Sequence, residues 1–272
     1  MGSRTLKDEA IVLRSLRFGE ADRILHLFTK DHGRINAIAK GARRTRSRLG
    51  GRLEPMSRVE LLLHEGRGEL ATVTGADLLQ AHHAVALDPY RVAVGSIGLE
   101  AMLRLFIERD ANPRAFHALA RFLDVLDAGA PARAEHAPLL QGESAAESAG
   151  ARPLPPARAD PVLDPLALSF QLKLLWLAGY LPHLASCAAC GGEGPLVAFS
   201  AAAGGGVCAV CRADSVPLSA EGFLGLRALL ERPLAEARDA GLTAAVARES
   251  VRVVQTLYEY HGGFRMRTLA AR

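Results

Sequence analysis

The 272-residue sequence predicts a multidomain α+β chain: a small β-barrel over residues 1–80, then a helical domain over residues 81–272 that carries a four-cysteine lobe. Three observations lead there. Short alternating apolar runs, separated by turn signals, crowd the first 80 residues. From Ala84 onward the apolar period lengthens to three and four. All four cysteines fall as Cys187-x2-Cys190 and Cys208-x2-Cys211, with 17 residues between the pairs. A hydrophobic content of 49% is ample for a packed core at this length.

The strand-like runs are Ala10 to Leu16, Ile24 to Thr29, Arg34 to Ala39, Arg58 to His64 and Glu69 to Thr74, with turns at Gly19, His32-Gly33, Gly50-Gly51 and Gly66 to Gly68. Five short strands in so few residues suit a barrel of the oligonucleotide-binding type, the OB-fold. Phe18 and Phe28, the only aromatic residues before Tyr90, both fit core positions of such strands.

Helical periodicity follows. Ala93, Ile97, Ala101 and Leu105 share one stripe, and Phe116, Leu119, Phe122, Leu123 and Leu126 another. Between Gly129 and Asp164 the chain is mostly Ala, Pro, Gly, Ser and charge, a composition that cannot bury enough apolar surface to order itself, so about 129–164 reads as a disordered insertion. A helix resumes at about Pro165 and stops near Pro182. Two more are expected from Ser219, as N-cap, to Glu231 and from Thr243 to His261. In the last, Val246, Ser250, Val253, Val254, Leu257 and Tyr258 form a core stripe.

The cysteine spacing favours a zinc knuckle over residues 187–211. Each Cys-x2-Cys can fold as a tight turn that aims two sulfurs at one ion. Weaker alternatives are disulfides, which suit secreted chains, and a thioredoxin-like redox pair, which needs one such motif rather than two. Four thiolates leave no open coordination position, so the zinc is expected to be structural. A deaminase would need His-x-Glu, and none of the nine histidines has glutamate two residues on. His183 reads as a capping or packing residue. There is no Gly-x4-Gly-Lys-Ser/Thr loop, no Gly-x-Gly-x-x-Gly and no nucleophile motif, so an enzyme is not expected.

Charge is the remaining signal. Residues 1–80 contain 15 Lys+Arg against 10 Asp+Glu, so the net +4 of the whole chain comes from this part alone. From His32 to Leu53 there is no acidic residue, while Arg34, Lys40, Arg43, Arg44, Arg46, Arg48 and Arg52 are basic. Seven cations without an anion repel one another until a polyanion lies across them, so these seven are the candidate nucleic-acid-contact residues, the alternative being a solvated loop without a partner. With stacking expected to be minor, binding would rest on phosphate contacts, which carry no sequence information. No apolar run approaches the ~20 residues of a membrane span, and MGSRTLKDEA has no signal-peptide core. A cytoplasmic protein is expected.

Several segments together resemble a known family. They are Leu16-Arg17-Phe18-Gly19-Glu20-Ala21-Asp22-Arg23-Ile24, Leu27-Phe28-Thr29-Lys30-Asp31-His32-Gly33-Arg34, Ala39-Lys40-Gly41-Ala42-Arg43-Arg44, Ser47-Arg48 and Leu53-Glu54-Pro55. Leu177 to Pro182 leading into Cys187, and Tyr258-x2-His261-x-Gly263, continue the pattern. The chain thereby resembles the bacterial RecO family of recombination mediators. The resemblance implies an N-terminal OB-fold barrel, a helical domain and a zinc knuckle that some members lack. It also implies binding of single- and double-stranded DNA, annealing of complementary strands, and work with RecR to load RecA on strands coated by single-strand-binding protein. That partner's acidic, apolar C-terminal tail would dock on the helical domain, where Arg121, Arg133, Lys173 and Arg227 are candidate carboxylate partners. Two other readings stay open. A zinc-ribbon regulator would want a basic recognition helix, yet Gly191 to Val207 has no cation. A zinc hydrolase or deaminase lacks its open-site ligands.

Overall fold

A computed structural model describes residues 4–66, 68–129 and 160–270. Strands β1 (Arg4–Phe18), β2 (Asp22–Thr29), β3 (Gly33–Ala39), β4 (Arg58–Glu65) and β5 (Ala71–Gln80) close into a barrel of order β1-β2-β3-β5-β4. Neighbours are antiparallel except β3 and β5, which pair in parallel through Ala37 with Ala71 and Ile38 with Thr72. β4 returns to β1, setting Leu63 opposite Leu6 and Val59 opposite Ala10. Alternation fills the interior: Leu25 and Leu27 of β2 and Val59, Leu61 and Leu63 of β4 are all 0% exposed. The expected strands are all present, but β1 begins six residues earlier than the run from Ala10. Its first half hides a carboxylate, Asp8, which accepts the Asp31 backbone N–H and meets His32 Nδ1 at 2.7 Å.

One irregularity in β1 decides which side chains point outward. Val12 lies opposite Leu27 and Ser15 opposite Leu25, so two interior partners on β2 are matched by residues three apart on β1. The extra residue is a bulge at Val12–Arg14, and it reverses the alternation beyond it. Leu6, Ala10 and Val12 face the barrel interior. After the bulge Ser15 takes the interior side, and Leu16 and Phe18 turn to the outer one.

The helical part comprises α1 (His83–Leu87), α2 (Pro89–Leu105), α3 (Pro113–Ala128), α4 (Pro165–Leu177), α5 (Ala220–Glu231) and α6 (Ala244–Gly262). Their starts are written in the sequence. Asp88, Asn112, Asp164, Ser219 and Thr243 each accept a first-turn N–H at the start of α2 to α6, and proline occupies the first turn of α2, α3 and α4. α4 is buried on nearly every side, with Phe170 stacked on Phe122 of α3 at 4.2 Å. Gln171 of α4 receives the Tyr258 hydroxyl of α6 at 2.5 Å. The stripe from Val246 to Tyr258 is buried as expected.

The proposed insertion 129–164 falls largely outside the described residues, but its C-terminal edge needs correction. Asp160 to Asp164 is ordered: Pro161–Leu163 form a 3-10 turn and Asp164, 1% exposed at its side chain, pairs with Arg238 at 2.8 Å and accepts from the Tyr90 hydroxyl. The low-complexity composition hid this because one capping aspartate carries the anchorage. At the other edge Arg91 donates to the carbonyls of Leu126, Asp127 and Gly129.

Barrel and helices share one core. Ile11 and Leu13 of β1 and Phe28 of β2 pack with Val94, Leu99, Met102 and Phe106. The Phe28 and Phe106 rings lie 5.3 Å apart. Beside them Gly33, at φ +68°, brings its backbone so close to Asp110 that an added Cβ would lie 2.1 Å from the Asp110 carbonyl oxygen.

Candidate nucleic-acid interface and metal centre

The basic run leaves the barrel at the end of β3 and crosses to β4, and its backbone is fixed by local bonds. Gly41, at φ +65°, turns the chain and donates its N–H to Asp22 Oδ1 at 2.7 Å. Arg43 donates its backbone N–H to the Ala21 carbonyl, and its guanidinium reaches the Gly19 and Glu20 carbonyls at 3.2 and 3.1 Å. The loop is thus fastened onto the β1–β2 hairpin. Ala42 and Leu53 are its apolar anchors, both in the barrel core. A 3-10 turn at Gly50–Arg52 ends the crossing.

The seven candidate cations fall into three groups. Lys40, Arg44, Arg46 and Arg48 are exposed, and among the described residues their side chains have no hydrogen-bond or ion-pair partner. Arg43 and Arg52 are exposed but tethered, Arg52 to the Ala76 carbonyl at 2.6 Å and to Asp77 at 3.4 Å. Arg34 stands apart. Its guanidinium donates to the Leu103 carbonyl and pairs with Glu108 at 3.2 Å, which makes it part of the seam with the helices rather than of the loop. Sequence position alone joined it to the others, because β3 alternates its faces and the run of charges does not.

Phe18 also departs from expectation. It is not a core residue but lies 50% exposed at the outer end of β1, immediately before the hairpin that Arg43 grips. Strict alternation from Ala10 would have placed it inside; the bulge turns it out.

The four cysteines come together in a lobe between α4 and α5. Strands β6 (Leu196–Ser200), β7 (Gly205–Cys208) and β8 (Val216–Pro217) form a small sheet of order β7-β6-β8. These strands were illegible in the sequence because β7 is built on glycine. An added Cβ at Gly205 would meet the His183 carbonyl at 2.1 Å, and one at Gly206 would enter the Leu196 and Phe223 side chains. Cys187 and Cys190 flank one turn, closed by the Gly191 N–H donating to the Cys187 carbonyl at 2.8 Å with Gly191 at φ +74°. Cys208 and Cys211 flank the other, closed by Cys211 N–H to Cys208 O at 3.1 Å.

All four Sγ atoms lie within 4.8 Å of one another, and those of Cys190 and Cys208 are 4.0 Å apart. A tetrahedral ion with metal–sulfur bonds of about 2.3 Å needs sulfur–sulfur edges of roughly 3.8 Å, so the residues fit a four-thiolate metal. The Cys208 N–H donates to Cys187 Sγ at 3.4 Å, and this bond, with others from the Cys190 and Ala189 backbone, lowers the Cys187 thiol to about 6. Hydrogen bonds with Cys190 and Cys208 push Cys211 up to about 12. His183 is no ligand: its Nε2 lies 2.9 Å from Ser186 Oγ and accepts the Ser186 N–H, capping the turn before Cys187.

Of the candidate carboxylate partners, Lys173 donates to the Leu230 carbonyl at 2.5 Å and is lowered by burial, and Arg227 donates to the Leu184 carbonyl. Lys173 thereby ties α4 to α5, and Arg227 ties α5 to the segment that leads into Cys187. Arg121 is exposed on α3, and Arg133 lies outside the described residues. No helix among the described residues is long and apolar enough to cross a membrane.

The family model for the N-terminal part of recombination protein O matches residues 1–82, and that for its C-terminal part matches residues 158–270. A DNA repair protein RecO from Rubrobacter xylanophilus is 39% identical over 251 residues, which cover 89% of this chain and 88% of the relative.

Proposed function

The chain belongs to the RecO family of DNA repair proteins, and from that premise we propose that it is a recombination mediator acting through the β3–β4 loop. It binds single- and double-stranded DNA without sequence preference and anneals complementary strands. With RecR it helps load RecA on DNA coated by single-strand-binding protein, whose acidic C-terminal tail docks on the helical part. It acts as a binding protein, not an enzyme, in the cytoplasm. Its cofactor is a structural Zn2+ on Cys187, Cys190, Cys208 and Cys211; zinc supplies a cross-link there and no chemistry.

The observation that carries the DNA reading is the state of the loop: Lys40, Arg44, Arg46 and Arg48 are held on an ordered backbone with their charges uncompensated among the described residues. Cations placed so attract phosphate and release its condensed counterions. Phosphate contacts leave the base edges free, which annealing requires, since two strands must be neutralised while their bases find each other.

Salt titration tests it. Four free cations, joined by Arg43 when it swings from its carbonyls, give a log-log slope on single strands of about −3 to −3.5 at ~0.7 per phosphate. A slope near zero, or affinity that follows base sequence, would sink this function. Annealing of complementary oligonucleotides without nucleotide, with and without single-strand-binding protein, tests the mediator role.

A further inference from the structure

We propose that Phe18 is a base-stacking platform that gives the basic loop a preference for unpaired strands over duplex. This rests on the reading of the loop as the phosphate-binding site and adds to it the feature that distinguishes one form of nucleic acid from the other.

Four observations converge on Phe18. It is a large aromatic side chain, half exposed, at the last position of β1, and among the described residues its ring stacks on no other. A lone exposed apolar side chain is ordinary on a protein surface; Phe18 is distinguished by the apolar strip and the cationic loop that adjoin it. Its position is created by the β1 bulge, which takes Leu16 and Phe18 out of the barrel interior. Bulges of this kind re-aim side chains near functional surfaces.

The second strand continues the surface. Leu16 lies opposite Ile24 of β2, and Ile24 opposite Ile38 of β3; all three are only partly buried. A shallow apolar strip therefore runs across the outer face of β1, β2 and β3 with Phe18 at its edge. Barrels of this type bind oligonucleotides on their second and third strands and adjoining loops.

The third observation is attachment. Arg43 holds the Gly19 and Glu20 carbonyls, the two residues after Phe18, and its N–H holds Ala21. The loop and the ring thus belong to one rigid corner. Asp22, the carboxylate opposite Phe18 in the register, is turned to the Gly41 N–H.

Charge complementarity selects the occupant. A ring whose hairpin is gripped by Arg43, on the loop that also carries Lys40 and Arg44, suits a ligand with a flat apolar face and a flanking anion, which is a nucleotide with its phosphate. Stacking needs a base free of its partner, so a single strand engages both ring and cations, whereas a duplex, its bases stacked and paired, engages the cations alone. The preference is indifferent to sequence because every base has a π-face.

Three variants of the full chain test this, with oligothymidylate and a blunt duplex as probes. Phe18→Ala and Phe18→Leu should each weaken oligothymidylate binding about tenfold to a hundredfold, as expected for one lost base–aromatic contact. Duplex affinity and the salt slopes on both ligands should stay unchanged. The leucine variant keeps apolar bulk, so loss there assigns the effect to the ring. Since Trp176 is the only tryptophan, Phe18→Trp in a Trp176→Phe background gives a reporter, which should quench on oligothymidylate and not on duplex. Equal loss on both ligands, no loss on either, or an unquenched reporter at saturation would overturn the platform. Those outcomes leave the loop reading standing, whereas unchanged binding by a Lys40, Arg43, Arg44 and Arg48 alanine variant would remove the loop reading itself.

Discussion

The barrel and the cysteine lobe solve the same problem, holding loops of irregular backbone in place, by opposite means. The barrel closes its sheet and fills it with side chains such as Leu25, Leu27, Val59, Leu61 and Leu63, so its basic loop hangs from a rigid frame. The lobe's own core holds just Cys187, Ala198 and Val207, since Phe199 and Ala201 of β6 pack into the helical core instead, and its strand β7 is half glycine. Such a core is too small to fold alone, and a metal on the four thiolates would supply the cross-link it lacks. One region therefore concentrates exposed charge on a stable scaffold, and the other uses its most reactive side chains as scaffold.

Breaking the metal site should give the largest effect. Zinc binding of this kind contributes about 10 to 16 kcal/mol to local folding. Chelation, or Cys190→Ser with Cys208→Ser, should unlock residues 187–211 to proteolysis and amide exchange while DNA affinity changes little. Complete loss of DNA binding on metal removal would contradict the division of labour. The next largest effect lies on the other side: alanine at the untethered Lys40, Arg44, Arg46 and Arg48 should reduce the single-strand salt slope by about 2.8 and leave thermal stability and metal content unchanged.

Smaller effects sharpen the border between the two regions. Gly33→Ala places a Cβ against the Asp110 backbone and forces positive φ on alanine, so stability should fall by about 2 to 4 kcal/mol in a denaturant titration, with the barrel–helix seam the first part to exchange. Acid should act more gently. Burial alone would raise the Glu100 carboxyl, but hydrogen bonds from Thr268, Arg267 and Arg104 hold it below its usual 4.5. Its contribution is therefore present above pH 4.5 and lost as pH falls through the lower folded value. Amide exchange at Arg267 and Thr268, compared between pH 7 and pH 3, should show the C-terminal segment loosening, and Glu100→Gln should remove that dependence.

How much of this was legible before the structure varies with the physics of each element. Helix starts at Ser219 and Thr243 are local, since a cap and its first turn lie within four residues, and they stand where the sequence put them. The cysteine pairs are equally local in spacing, and their four sulfurs converge. The strands of the lobe were not legible, because β7 requires glycine for close approach to His183 and Phe223, and glycine carries no strand signal. Phe18 was assigned to the wrong face because a bulge reverses alternation without altering composition. Arg34 looked like its six neighbours until tertiary contact with Leu103 and Glu108 separated it.

The shared core at the seam has a practical consequence for anyone who would cut the chain. Ending it at Gln80 would leave a closed barrel that still carried Ile11, Leu13, Phe28 and Met56, all of which share a core with the helices that follow. Such a fragment should self-associate or adhere to other surfaces, and any apparent gain in DNA affinity from it would reflect clustering rather than a better grip. The loop and its ring are best studied on the whole molecule, where the helices keep that core dry.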